Sequence, residues 1–545
     1  MEPKEISALN SELSDVILNF HQYHTDMEKN RNFYEFSAFY QPKSGDSPMR
    51  KEMVINLLKV FADKNIHYTS GFPTIKVPAA PDDRQNASMR EKILYATHSK
   101  SNTALLRRRW ARDATILSAA VAETGFDRKN RCAFVRRYDP RHCYWQLSND
   151  NDKRVIAFWA VFPITKAECQ KRYGVTPTSQ GSMPSTIFDN GTLKHIDGQE
   201  WFLQAIKWTG QTRSAWVGNT WIEEPHNHQM GEIPIDICMP FDDSNANNFG
   251  SFYLQPLVPP QAELNHVNKQ RANIVNRMAN PVVWGRNIVT RQFDDTKANL
   301  EKAGGGFVGL GRQGELGLLQ INDVKLLNEH EDRLIQHMMR LSGFGAATFG
   351  ESVGANTSGD ALGMYFTPTQ RLIEDQNIAW VAFDQSINTK ILRAFDKNLA
   401  YGENVSLSGF APGGTVLSMD DGSHKYESGA FSVSFGKDVI NGNYNNVVIP
   451  RNITPKDENK EREWALNAVA QNVISRTTAY EMFNFLSPED ELELLKQEQL
   501  EPALNPEGTS KILEGMEQPE VPAGGTATAP EALAPGQPAP ATIAR

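Results

Sequence analysis

The fold is decided by three consecutive pieces of sequence: DVKLLNEHEDRLIQHMMRL (323–341), SGFGAATFGESVGANT (342–357) and SGDALGMYFTPTQRLIEDQNIAWVAFDQSINTKILRAFDKNLAY (358–401). The first piece predicts an α-helix, Asp323–Leu341, because its apolar residues recur at helical spacing. Those residues are Leu327, Leu334, Met338 and Leu341. The second piece should interrupt this helix, because glycine disfavours helix continuation. Its glycines are Gly343, Gly345, Gly350 and Gly354.

The third piece predicts a long helix with a defined start, bend and end. Thr357 is an expected N-cap, and Asp360 follows at capping-box spacing. Pro368 lies inside the helix, so a kink is expected near Thr367. Gly402 lies just past its end. The expected buried face consists of Leu372, Trp380, Phe383, Ile387, Ile391 and Phe395. Two helices joined by a flexible polar loop would hold a mobile segment out from a rigid body.

A second helix, Gln261–Ala279, is predicted from the Pro259–Pro260 pair before it and Pro281 after it. It is unusually polar, so we expect it to face solvent or to pack against copies of itself. Its polar residues are Asn265, Asn268, Lys269, Arg271, Asn273, Asn276 and Arg277. The insert Val282–Asn322, with short strands and a glycine cluster, separates it from the helix at Asp323.

The remaining sequence predicts an α+β fold. Helices are expected around Leu9–Tyr23, over Lys51–Ala62, throughout Ser88–Gly125 and over Lys166–Tyr173. Strands are expected at Thr74–Val77, Cys132–Val135, Tyr144–Leu147, Val155–Phe162, Trp201–Trp208 and Ser214–Ile222. A β-rich stretch should run from Gly402 to Ile449. Helices should follow at Pro455–Val473, Thr477–Phe485 and Leu492–Leu500, and the Pro- and Ala-rich residues from Glu501 to Arg545 read as a disordered tail.

Composition gives no signal for tight nucleic-acid binding or for a membrane span. The chain has 545 residues and a formal net charge of −9, so it lacks the basic balance of a typical DNA-binding protein. The longest apolar run, Val155–Phe162, is far shorter than the roughly 20 residues that cross a bilayer. The cysteines form no CxxC pair and are expected to be free thiols, mostly in the core. They are Cys132, Cys143, Cys169 and Cys238.

Two motifs suggest an enzyme without the context that an enzyme needs. Gly309–Gly314 matches GxGxxG, but the residues after it, Glu315–Ile321, read as a strand and not as the helix that would bind a pyrophosphate. Gly350–Gly354 matches GxSxG around Ser352, but no convincing buried strand precedes it and no helix follows at once. A glycine turn and a mobile loop are the better interpretations, and a serine hydrolase using Ser352 remains an alternative.

Two further clusters are open to a functional interpretation. Glu223, Glu224, His226 and His228 could bind a metal, although Pro225 suggests an exposed turn. Arg107, Arg108, Arg109 and Arg112 form a basic run on a predicted helix. For that run we expect a solvated face or a subunit contact, with phosphate binding as the alternative. We therefore expect no catalytic residue, cofactor site or metal site.

The order of these elements resembles that of the bacteriophage portal proteins, the head-to-tail connectors of tailed double-stranded DNA phages. Asn356–Leu362 (NTSGDAL) resembles the start of the family's long wing helix after its tunnel loop. Val473–Ala479 (VISRTTA) and Phe485–Glu491 (FLSPEDE) resemble its crown. Tyr138–Tyr144 (YDPRHCY) resembles the Asp-Pro turn before a wing strand. Another virion or scaffold protein with a similar helix–loop–helix remains an alternative.

The resemblance implies an α/β wing (1–252 and 358–450), two stem helices (253–280 and 323–342) and a small clip (281–322). It also implies a tunnel loop (343–357), a helical crown (451–500) and a tail (501–545). Such subunits would form a ring, of twelve copies in the family, around a channel for double-stranded DNA. The tunnel-loop residues expected to face DNA are Phe344, Thr348, Phe349, Glu351, Ser352, Asn356 and Thr357. The expected stem and clip contacts to DNA are Lys269, Arg271, Arg277, Arg286 and Arg291.

The same resemblance implies a location and a set of partners. The ring would assemble in the host bacterial cytoplasm and occupy one vertex of the capsid in the virion. Its implied partners are the terminase large subunit, the major capsid protein, and the head-completion (adaptor) and tail proteins. The chain itself would hydrolyse nothing, and it would not contact a membrane.

Overall fold

A computed structural model describes residues 3–35, 55–78, 83–148, 154–177, 201–241, 249–279, 283–288, 310–318, 325–349, 359–420, 423–451 and 467. The chain divides into two compact units, Met1–Arg462 and Glu463–Arg545. Every helix and strand given below belongs to the first unit. The crown helices predicted beyond Pro455 and the C-terminal tail lie outside the described residues, apart from Asn467.

The first unit mixes α-helices with antiparallel sheets, as the sequence predicts. The described helices are α1 (Pro3–Tyr34), α2 (Leu57–Thr69), α3 (Arg84–Lys100), α4 (Thr103–Leu117), α5 (Lys166–Tyr173), α6 (Val258–Ala279), α7 (Lys325–Ser342), α8 (Gly359–Asn398) and α9 (Lys437–Ile440). The described strands are β1 (Thr74–Lys76), β2 (Ala120–Asp127), β3 (Cys132–Tyr138), β4 (Cys143–Leu147), β5 (Val155–Thr165), β6 (Trp201–Thr209), β7 (Thr212–Val217), β8 (Thr220–Asn227), β9 (Ile235–Cys238), β10 (Val283–Ile288), β11 (Leu310–Leu318), β12 (Val405–Asp420), β13 (Ser423–Phe435) and β14 (Val447–Ile449).

The long helix α8 is the central element of the core. Its C-terminal half packs on the sheet β3-β2-β9 and on α3. The predicted buried face is confirmed, since the residues in the following list are at most 3% exposed and Leu372 is partly buried. They are Trp380, Phe383, Ile387, Ile391 and Phe395. The helix is continuous through Pro368, and it ends four residues before Gly402.

A five-stranded antiparallel sheet, β4-β5-β6-β7-β8, forms a second layer under α1. Aromatic residues join the two: Phe20 of α1 meets Trp145 of β4 edge to face, with ring centroids 4.9 Å apart. Asn10 of α1 accepts a hydrogen bond from Trp216 Nε1 of β7 at 2.8 Å. These contacts hold the apolar side of α1 against the sheet.

The prediction of a helix throughout Ser88–Gly125 is wrong. The chain breaks at Asn102 and Ser118, which take left-handed backbone conformations (φ 52° and 64°), and it continues as strand β2. Residues 119–122 are fully buried, so this strand shows no alternation of polar and apolar residues that could distinguish it from a helix. The predicted strand Ser214–Ile222 is likewise two strands, β7 and β8, joined by a turn at residues 218–219.

Several local predictions are confirmed with small changes in their bounds. Helix α5 has the predicted bounds, because Thr165 caps its start through the N–H of Glu168 and Gly174 ends it at φ 70°. The predicted helix at Lys51–Ala62 instead starts after its N-cap, Asn56, and runs to Thr69; residues 51–54 lie outside the described residues. The cysteines are buried and unpaired. In the part of the chain that the structure covers, no helix is long and apolar enough to cross a membrane.

Candidate functional site

Helices α6 and α7 are neighbours, and a pair of antiparallel strands lies between them in the sequence. The two helices pack on each other, and the described part of the insert between them is an antiparallel hairpin of β10 and β11. Helix α6 has 22 residues and α7 has 18, which corresponds to lengths of roughly 33 and 27 Å at 1.5 Å per residue. Pro259 and Pro260 lie in the first turn of α6, where proline costs no backbone hydrogen bond.

The contact between α6 and α7 is partly apolar and partly ionic. Leu264 and Val267 of α6 and Met338 of α7 are buried. Arg271 of α6 forms an ion pair with Glu331 of α7, which is 9% exposed. A carboxylate is therefore buried where the sequence predicts an apolar stripe, and the arginine neutralises it.

The predicted stripe on α7 differs at its end. Leu341 is 42% exposed, so its assignment to the buried face is wrong. Leu327 and Leu334 are partly buried, Met338 is buried, and Ser342 takes the position next to them. The Ser342 hydroxyl is satisfied there, because it donates to the Met339 carbonyl at 2.7 Å and accepts from the N–H of Phe344 at 3.3 Å.

The buried side of α6 carries unsatisfied amides. Gln261 is fully buried and hydrogen-bonded, donating to the carbonyl of Ile55 at 2.7 Å and accepting from the N–H of Leu57 at 3.0 Å. Seven residues further on, Asn268 is 3% exposed, and neither its Oδ1 nor its Nδ2 has a hydrogen-bond partner among the described residues. Such a group costs stability, because water satisfies it in the unfolded chain.

We expect Asn268→Leu to stabilise the protein. The substitution keeps a similar volume and removes a desolvated amide, so the free energy of unfolding should rise by about 1–2 kcal/mol. Thermal unfolding measured by circular dichroism checks this. The control is Gln261→Leu, which removes hydrogen bonds that are made and should lower the stability. A loss of stability in Asn268→Leu would show that the amide has a partner in solution.

The cations predicted to contact DNA have different environments. Arg271 forms an ion pair with Glu331 and its side chain is 30% exposed, so its contact to DNA stays a prediction. Lys269 is exposed on α6. Arg277 lies in α6 and Arg286 in β10, but the structure describes only their backbone, and Arg291 lies outside the described residues.

The glycine loop (343–357) is anchored at its start to α8. Gly343 adopts φ +77°, a conformation that favours glycine. The N–H of Gly345 donates to Thr369 Oγ1 at 3.1 Å, and a Cβ on Gly345 would lie 2.3 Å from the carbonyl oxygen of Tyr365. Only glycine permits this close approach of loop and helix.

Two loop residues predicted to face DNA instead face the core. Phe344 is 3% exposed and Thr348 is 5% exposed, so the prediction for these two is wrong. Thr348 Oγ1 is 2.9 Å from Thr369 Oγ1, and Lys64 Nζ donates to the Thr348 carbonyl at 2.9 Å.

Phe349 is partly buried and meets Phe61 edge to face, with centroids 5.4 Å apart. The other four loop residues predicted to contact DNA lie outside the described residues, and so the predicted N-cap, Thr357, is not described either. The four residues are Glu351, Ser352, Asn356 and Thr357.

The remaining motifs have structural roles where they are described. Residues 310–314 of the GxGxxG match lie within β11, which continues to Leu318 and pairs with β10; a helix does not follow the glycines as a dinucleotide site requires. The GxSxG match lies outside the described residues.

The sequence suggested an exposed turn for the Glu/His cluster. Glu224 and His226 are exposed, but they lie with Glu223 on strand β8, and His228 follows the end of that strand. Glu223 forms an ion pair with Arg213 of β7. The imidazole Nε2 of His228 lies 3.0 Å from the carbonyl of Thr209. In the ranges that the structure covers, no three His, Cys, Asp or Glu side chains are grouped so as to hold a metal ion.

The arginine run of α4 is divided between core and surface. Arg107 is 4% exposed and its Nη1 lies 2.6 and 2.7 Å from the two carboxylate oxygens of Asp384 in α8. Its guanidinium also lies 4.1 Å from the ring centroid of Trp380. Burial raises the pKa of the Asp384 carboxyl to about 6, and Arg107 opposes that rise. Arg108, Arg109 and Arg112 are exposed, so the expectation of a solvated face holds for them and fails for Arg107.

Comparison with known proteins adds no relative from which to transfer a function. No protein-family model matches the chain, and no curated protein matches it.

Proposed function

We propose that this protein is a portal-type subunit, which assembles into a ring around a channel for double-stranded DNA. The observation that carries the proposal is the order helix, hairpin, helix, glycine loop and long helix, from Val258 to Asn398. In this proposal α6 and α7 are the stem, the β10–β11 hairpin is the clip, and the body containing α8 is the wing.

The surface of the long helices supports a role in assembly. Large apolar side chains are exposed on α6, α7 and α8, although soluble monomers expose few such residues together. They are Val275, Leu326, Leu341, Met364, Tyr365 and Ile378, which are between 42% and 75% exposed. Neighbouring copies of the same helices would cover them in a ring.

The charge of the chain fits a channel that does not retain DNA. At −9 per subunit, a ring is strongly acidic, and this opposes static binding to phosphates. The exposed Lys269 on α6 would provide a transient contact. We assign the glycine loop beyond Phe349 to the channel, because the residues before it are occupied by α2 and α8.

The proposal includes partners and a location. The clip would dock the terminase large subunit during packaging, and later the head-completion and tail proteins. The wing would contact the major capsid protein at one vertex of the virion. The chain would perform no hydrolysis, so the motor would supply the energy for DNA movement.

Negative-stain microscopy and mass photometry of the purified full chain test the proposal. We expect rings with a central hole wide enough for a DNA duplex to pass. A uniform monomer at micromolar concentration, in low salt and in high salt, would overturn it. Loss of an esterase activity in Ser352→Ala would instead support a hydrolase.

A further inference from the structure

The outer side of α4 is basic. We call Leu105, Arg108, Arg109 and Arg112 the α4 face; all four are exposed. Within the described ranges, Arg108 and Arg109 have neither a hydrogen bond nor an ion pair, whereas Arg112 lies 4.0 Å from the Glu35 carboxylate and 5.2 Å from the centroid of the Tyr34 ring. Leu105 is 45% exposed between them.

The outer side of the N-terminal half of α8 is acidic and apolar. We call Met364, Glu374, Asp375 and Ile378 the α8 face. Met364 is 75% exposed and Ile378 is 74% exposed. Asp375 has no charged partner in the part of the chain that the structure describes, whereas Glu374 accepts a hydrogen bond from Gln370 at 2.7 Å. One cation, Arg371, is exposed one turn before this carboxylate pair.

The two faces are directed away from each other. Arg107 of α4 and Trp380 of α8 point toward one another, since the guanidinium lies 4.1 Å from the indole centroid. At 100° per residue, Arg109 is about 200° around α4 from Arg107, and Ile378 is about 200° around α8 from Trp380. The α4 face and the α8 face therefore lie on opposite sides of the α4–α8 pair.

We propose that the α4 face of one subunit docks on the α8 face of the next copy of this chain. The two faces carry charges of opposite sign next to exposed apolar residues, and they point in opposite directions. This arrangement matches a heterologous contact, which repeats from copy to copy and forms a ring when the rotation between subunits closes. The apolar residues would be buried at the centre of the contact, and the charge pairs would orient it. This inference rests on the proposed ring and names the surfaces that build it.

Charge reversal tests the interface with two variants of the full chain. The first is Arg108→Glu with Arg109→Glu, and the second is Glu374→Lys with Asp375→Lys. Each variant alone places like charges across every contact, so we expect rings to be lost and only subunits to be seen by mass photometry. Mixed in equal amounts, the two variants restore opposite charges at every contact of an alternating ring, and we expect rings with an even number of subunits.

The control reverses exposed lysines elsewhere, with Lys129→Glu and Lys171→Glu, and should assemble as the unmodified chain does. Circular dichroism establishes that each variant is folded. If the unmodified chain forms rings and both reversed variants also do, the interface is wrong while the proposed function stands. A monomeric unmodified chain overturns both. If the Arg108/Arg109 variant assembles normally but loses binding to a labelled DNA duplex, the α4 face binds DNA and the proposed contact is wrong.

Discussion

Replacing Arg107 with alanine should lower the free energy of unfolding by about 3–5 kcal/mol at pH 8, because the substitution leaves the carboxylate of Asp384 buried without a counter-charge. Arg107 is 4% exposed, and both oxygens of Asp384 lie within 2.7 Å of its Nη1. The indole of Trp380 would also lose the guanidinium that lies over it. Thermal and urea unfolding of the purified chain measure the loss.

The loss should depend on pH in a defined direction. The pKa of Asp384 in the folded protein is raised from 3.8 to about 6 by burial, with Arg107 opposing the rise. Because the pKa of this carboxyl is higher in the folded chain than in the unfolded chain, its ionisation lowers the stability. The contribution of Asp384 to the free energy of unfolding therefore falls as pH rises from about 4 through 6. With Arg107 present the Asp384 carboxyl is already mostly protonated at pH 5, and without Arg107 its pKa rises further, so at pH 5 the carboxyl is neutral in both proteins and needs no counter-charge. The destabilisation should therefore be smaller at pH 5 than at pH 8.

Two variants control this experiment. Arg84→Ala removes an exposed arginine from α3 and should change the stability by less than about 0.5 kcal/mol. The double variant Arg107→Met with Asp384→Leu replaces the pair by apolar groups and should recover most of the stability. An Arg107→Ala variant as stable as Arg84→Ala at both pH values would mean that the ion pair contributes nothing.

Local sequence signals predicted those elements whose limits are set by neighbouring residues. Helix α5 is bounded by a threonine cap and a left-handed glycine, both readable from sequence. The apolar part of the buried face of α8 follows from helical spacing, whereas the burial of Gln376, Asn388 and Lys390 on the same helix does not. The antiparallel pairing of β1 with β14 was not predictable, since Ile75 and its partner Val448 are far apart in the chain.

The candidate site was less predictable, because the decisive partners are distant in sequence. A run of three arginines indicates a solvated face, and nothing near Arg107 indicates Asp384, which is 277 residues later. The same holds for Phe344 and Thr348, which a glycine-rich loop would be expected to expose. Thr348 contacts Thr369 and Lys64 of α2, and Phe344 contacts Tyr68 of α2, so only the packed structure shows that the start of the loop is buried.

Trp380→Ala should destabilise the subunit, whereas Ile378→Ala, two residues earlier on α8, should weaken ring assembly and leave the subunit stable. Comparing the two variants therefore separates folding from assembly. Trp380 is 1% exposed and packs against Phe383, so its truncation leaves a large cavity and should cost about 3–5 kcal/mol. Trp380→Phe should cost less, because the indole Nε1 has no hydrogen-bond partner among the described residues. Urea unfolding, followed by circular dichroism, gives these values.

Ile378 is 74% exposed, so its truncation should leave the free energy of unfolding of the dissociated subunit within about 0.5 kcal/mol of the original. Removing most of an apolar side chain from the proposed contact should nevertheless weaken each subunit interface, by up to the roughly 1.5–3 kcal/mol that full burial of such a side chain contributes. Every contact in a ring carries the same change. In mass photometry, the variant rings should therefore fall apart into subunits at protein concentrations at which rings of the unmodified chain remain intact. If Ile378→Ala destabilises the subunit as much as Trp380→Ala does, the outer side of α8 packs within its own chain and is not a surface for a second copy.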